Sequence, residues 1–154
     1  MTEDITGLLR HGHDTIVRSW AEKVTADRRV RTDAQLTYLQ LLDHVPDIVE
    51  ELREALASGE RPDGQLLEEA RNHGRTRWQQ GYELKEVVRE LTLLRAAVVE
   101  FIDAYRGALA TPPPDLVRSY NRIAGFMDEE IYRTIEAYLE AHREAIATGG
   151  ISVN

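Results

Sequence analysis

Between Leu84 and Leu109 the apolar residues Leu84, Val87, Val88, Leu91, Leu94, Val98, Phe101, Ile102, Tyr105 and Leu109 keep to one helical face. Nowhere does the chain alternate apolar and polar residues over a useful length, as a half-buried strand would. Together these facts restrict it to helices packed on helices. The expected fold is all-α: a bundle of five or six helices with a long C-terminal helix. At 154 residues the chain fits one domain, expected over 1–148 with a flexible tail at 149–154. A domain of that length buries enough surface to need no covalent staple.

Punctuation along the chain places the helices. The first is expected from about Thr2 to Ala26, with Thr2 as its cap and Gly7 and Gly12 weakening its early turns. Thr32-Asp33-Ala34-Gln35 has the pattern of a capping box and opens the second region. Pro46 breaks or kinks that region, and Asp43-His44 just before it reads as a helix-start cap. Gly59 and Pro62 mark a loop, and Asp63 caps a third helix running from Gly64 to about Gln80. Gly81 suits a left-handed C-terminal position, so the third and fourth helices should form an antiparallel hairpin around Gly81-Tyr82. Thr111-Pro112-Pro113-Pro114 stops the fourth helix, and Asp115 caps the last, which runs to about Ala147.

Composition and spacing then exclude most chemistry. No cysteine is present, which removes disulfides, thiol nucleophiles and thiolate metal sites. Nineteen basic residues against 27 acidic ones give a net charge of −8, unsuited to nucleic-acid phosphates. No apolar run approaches the length of a membrane span, and the acidic Thr2-Glu3-Asp4 is unlike a secretory signal, so a cytoplasmic location is expected. His11 and His13 lie about 200° apart around a helix, and no two histidines fall four apart. Glu69 and His73 can share a face, but the pair is commoner as a contact than as a ligand set. No metal and no cofactor are therefore expected. His44 and His73 are the two histidines an apolar haem pocket would use. No nucleophile elbow or phosphate loop occurs, and an enzyme is not expected. The doublets Glu50-Glu51, Glu68-Glu69 and Glu129-Glu130 read as solvated helix faces.

The densest run of unusual residues is His73-Gly74-Arg75-Thr76-Arg77-Trp78-Gln79-Gln80-Gly81-Tyr82, followed by Leu84, Val87-Val88, Arg89-Glu90 and Leu93-Leu94-Arg95. This segment resembles the N-terminal sensory domain of the RsbR/RsbRD co-antagonist proteins, a domain also found ahead of some sensor histidine kinases. Leu41-Leu42-Asp43-His44-Val45-Pro46-Asp47-Ile48 is similar to a second block of that family, and Trp20 sits where its first helix would place it. The similarity extends over most of residues 5–147. It implies a globin-related helical fold without haem that dimerises. It also implies an output partner: a phosphosulfate-transporter-like (STAS) or kinase module in cis, or signalling proteins in trans.

From the residues themselves, His73, Arg77, Glu90 and Arg95 are expected to meet between the third and fourth helices. Such a network either fastens those helices or, with His44 and Tyr82, reports a ligand or signal. In the last helix, Tyr120, Ile123, Met127, Ile131, Ile135, Tyr138, His142 and Ile146 advance by a mean of about 3.7 residues. The second half of that stripe, with Met127, Ile131, Ile135, Tyr138 and His142, is expected to form a homodimer and carry the signal. The function expected is a cytoplasmic input domain of a bacterial signalling protein. The alternative is a sensor whose helical pocket holds a small molecule, haem or metal.

Overall fold

The computed structural model describes residues 4–58, 68–109 and 113–149. These form α1 (Ile5–Ala26), α2 (Tyr38–Leu42), α3 (Val45–Ser58), α4 (Glu68–Gln79), α5 (Leu84–Tyr105) and α6 (Pro113–Ala147), with 3-10 turns at Thr32–Gln35 and Arg106–Ala108. No extended strand occurs among the described residues, and none of their helices is long and apolar enough to cross a membrane. The all-α bundle and its long last helix, 35 residues, follow the expectation. The proposed caps at Thr2 and Asp63, the Gly59–Pro62 loop, Thr111-Pro112 and the tail beyond Gly149 lie outside the described residues.

α1 runs unbroken. Its cap is Asp4, whose carboxylate accepts the Gly7 N–H and the Thr6 hydroxyl, each at 2.8 Å. Gly12 does not kink the helix; it makes room. A Cβ there would lie 2.0 Å from the Phe101 ring, so the glycine lets α5 press onto α1. Trp20 is wholly buried, with its indole N–H donating 2.9 Å to the Glu90 carbonyl of α5. Ile16, Ile48, Leu52, Leu91, Leu94, Ile102 and Met127 fill the centre around it.

Three local readings need correction. The capping box sits at Thr37 and Gln40, not Thr32 and Gln35; the Thr32 hydroxyl is instead spent 2.7 Å from buried Glu86. The break before α3 falls at Asp43, which adopts φ +45°, and Pro46 occupies the first turn of α3, where a missing N–H costs nothing. α6 starts at Pro113, so Asp115 lies inside its first turn. Gly81 does take a left-handed conformation, φ +83°, and separates α4 from α5. The two do not form a side-by-side hairpin, because α4 packs chiefly along α6.

That α4–α6 contact is close. A Cβ on Gly74 would stand 2.5 Å from the Thr134 carbonyl, and Thr134 donates its hydroxyl to the Ala70 carbonyl at 3.2 Å. Consequently the innermost line of α6 after Met127 is Glu130, Thr134, Ala137 and Ala141, small or polar residues. The apolar stripe expected there is rotated partly outward: Ile131, Ile135, Tyr138 and His142 are half-buried.

Candidate functional site

The residue-dense segment ends α4, crosses the Gly81 turn and starts α5, and it assembles a buried ionic network. Arg77 and Glu90 are both fully enclosed. They meet as two parallel contacts: Nε to Oε1 at 2.9 Å and a terminal nitrogen to Oε2 at 3.1 Å. The other three guanidinium N–H groups go to the Gln40 carbonyl at 3.0 Å, the Gln80 side chain at 2.8 Å and the Leu41 carbonyl. All five donors are therefore used, the condition under which a buried arginine is tolerable. Two of these acceptors are backbone groups at the end of α2, so Arg77 holds three helices at once.

Tyr82 and His73 complete the network. The Tyr82 ring lies 4.6 Å from the guanidinium, and its hydroxyl donates to Glu90 at 3.1 Å. His73, with no exposed side-chain surface, donates from Nδ1 to Asp43 at 2.6 Å, and its Nε2 stands 3.6 Å from Glu90. Burial opposes charging this imidazole, but the Asp43 and Glu90 carboxylates outweigh it and hold His73 above its ordinary value. Asp43 is the reverse case: burial raises it, and the His73 hydrogen bond and charge win and hold it low. With His73 protonated the set carries two positive and two negative charges.

Of the residues expected to meet here, His73, Arg77 and Glu90 do, and Tyr82 joins them. Arg95 does not. It is partly exposed and faces Asp128 at 3.4 Å, because five residues separate it from Glu90 and turn it about 140° around α5. Asp43, expected as a cap, is instead the carboxylate partner of His73, and its positive φ is what aims it there. His44 lies at the edge of the network, with Glu69 2.8 Å from Nδ1 and Asp43 3.6 Å from Nε2, and among the described residues it forms with Asp47 and Glu69 a group that could hold a metal ion. Glu86 was not foreseen. Nearly buried, it takes the Arg31 and Thr32 N–H groups at 2.9 and 3.2 Å and pins the segment after α1.

The acidic doublets are not the solvated faces they resemble. Glu130 is wholly buried and Glu51 and Glu69 are half-buried, while Glu68 and Glu129 are exposed.

α6 reaches the network through one aromatic. The Tyr138 hydroxyl donates to the Tyr82 carbonyl. A turn further on, the Trp78 indole N–H donates to His142 at 3.3 Å, and Arg75 clasps Glu140 and Glu144 at 3.2 and 3.1 Å. Of the five α6 residues expected at a dimer surface, Met127 is wholly inside the protomer core. The outward apolar residues of this half are Tyr132 and Leu139, with half-buried Ile135 between them.

The family model for the RsbT co-antagonist protein rsbRD N-terminal domain matches residues 14–150. No curated protein and no solved structure matches the chain.

Proposed function

The chain belongs to the RsbT co-antagonist protein rsbRD N-terminal domain family, and on that premise we propose that it is a sensory input module that works by self-association and by displacement of α6. The observation that supports this reading is the coupling of α6 to the buried network. Tyr138 ties the helix to the Tyr82 backbone, and the Tyr82 side chain rests on the Arg77–Glu90 pair. A buried ionic cluster in which every Arg77 donor is used has few alternative arrangements, so a change in its charge repositions what it holds. The element it holds here is a helix of 35 residues, about 50 Å long, able to carry a displacement to a module joined in cis or to signalling proteins in trans. The setting that fits such a module is the cytoplasm.

Tyr132, Ile135 and Leu139 lie three and four residues apart and give α6 an outward apolar strip for a second copy of the chain. Tyr138 and His142 then serve as the inward link, and Met127 as core. Light scattering at micromolar concentration tests the reading. It should report about twice the chain mass of 17.5 kDa, and Leu139→Glu should give a folded monomer. A monomeric native protein overturns the reading.

A further inference from the structure

A second polar cluster, unused by the Arg77 network, lies where the starts of α3 and α4 meet the middle of α6. His44, Asp47 and Glu51 follow one another at steps of three and four and so share a face as α3 begins. Glu69 comes from the first turn of α4, and Glu130 from α6. One ligand atom each from His44, Asp47 and Glu69 lie within 4.8 Å of one another. The His44 Nδ1 and Glu69 Oε2 atoms face each other at 2.8 Å without the geometry of a hydrogen bond.

Behind this mouth stand the inner carboxylates. Glu130 has no exposed surface, and among the described residues no N–H or hydroxyl donates to either of its oxygens or to one oxygen of Glu51. Glu51 and Glu130 share a hydrogen bond with each other, and the charge of Glu69 bears on both. Among the described residues, no lysine or arginine forms an ion pair with any of them. Burying carboxylates without a cation costs several kcal/mol each, and proteins that do so supply a metal or a proton.

We propose that this three-helix junction binds one divalent first-row transition-metal ion on His44, Asp47 and Glu69, with the buried Glu51–Glu130 pair behind them adding negative potential. A single imidazole among carboxylates is the donor set of manganese, ferrous iron or zinc, whereas calcium and magnesium are served by oxygen alone. Asp43 joins this junction to the ionic network. One of its oxygens accepts from His73, and the other lies 3.6 Å from the far nitrogen of His44, the position of a carboxylate that orients a metal-bound histidine. The metal site stands on this geometry alone and does not depend on the regulatory role of α6.

The test uses the full chain, stripped with a chelator and titrated calorimetrically with Mn²⁺ and with Zn²⁺. One equivalent of at least one of them should bind saturably. His44→Gln and Glu69→Gln should each weaken binding by at least about tenfold. Glu68→Gln, at the exposed neighbour, should bind as the parent does. His44→Gln alters a partly exposed side chain, so retained helical circular dichroism separates lost ligation from lost fold. No saturable binding of either ion by the native chain overturns the proposal, as does binding that His44→Gln and Glu69→Gln leave unchanged.

Discussion

The Tyr138 hydroxyl donates to the backbone carbonyl of Tyr82, so α6 is tied to the residue whose side chain lies on the Arg77–Glu90 pair. A single hydrogen bond is worth only about 0.5–1.5 kcal/mol. Its interest is positional: it connects a helix of 35 residues to a cluster whose His73, Arg77 and Glu90 side chains have no exposed surface. That cluster dominates what should happen to stability on mutation.

Removing one member of a buried pair leaves the other charged and unpartnered. Glu90→Ala is expected to cost about 3–5 kcal/mol in urea unfolding, because Arg77 keeps its charge at zero exposure. Arg77→Lys is not a rescue. An ammonium cannot make the two parallel contacts to Glu90 while also reaching the Gln40, Leu41 and Gln80 acceptors. A loss below about 1 kcal/mol for Glu90→Ala, the range of exposed pairs, would contradict the burial described.

His73 gives the network a pH dependence of definite sign. Its folded value lies above the 6.5 of the free side chain, so the folded state holds the proton more tightly than the unfolded one. The contribution of His73 is therefore complete below pH 6.5 and is lost as pH rises through the folded value. The stability difference between the native chain and His73→Gln should shrink as pH rises above 6.5. Asp43→Asn, which removes the first carboxylate holding the charge, should flatten that trend. A difference that grows with pH runs against the assignment.

Two glycines on neighbouring elements should respond oppositely to alanine. At Gly74 the added carbon meets the Thr134 backbone at 2.5 Å, and backbone yields little, so Gly74→Ala should destabilise by about 1–3 kcal/mol. At Gly125, in exposed α6, nothing lies within 4 Å, and Gly125→Ala should stabilise by about 0.5–1 kcal/mol through helix propensity. Thermal denaturation of the two variants is enough to compare them.

Much of the helical plan was legible in the chain because apolar periodicity and the Gly81 break are local properties. The network was partly legible for the same reason. His73, Arg77 and Tyr82 flank one turn, and Glu90 follows on the next helix. Arg95 was a misreading that spacing alone corrects, since five residues along α5 lead away from Glu90. Asp43 was out of reach: its role depends on a positive φ that tertiary packing enforces at the α2–α3 break. The inward carboxylates were hidden differently. In a doublet such as Glu129-Glu130 adjacent side chains diverge by about 100°, and only the position of α4 and α3 against α6 decides which one is buried. The His44, Asp47, Glu51 spacing did carry a signal, but one visible only when the search extends beyond histidine pairs.

The most direct test of the proposed relay from network to α6 is a distance measured across the proposed dimer. The chain contains no cysteine, so Arg143→Cys introduces a unique spin-label site on an exposed position of α6. Double electron–electron resonance should then give one narrow inter-protomer distance. Adding Tyr138→Phe, which cuts the link to Tyr82 while keeping the ring, should shift or broaden that distance with helical content unchanged. No dipolar coupling between protomers, or the same distribution with and without the Tyr138 hydroxyl, would contradict the account.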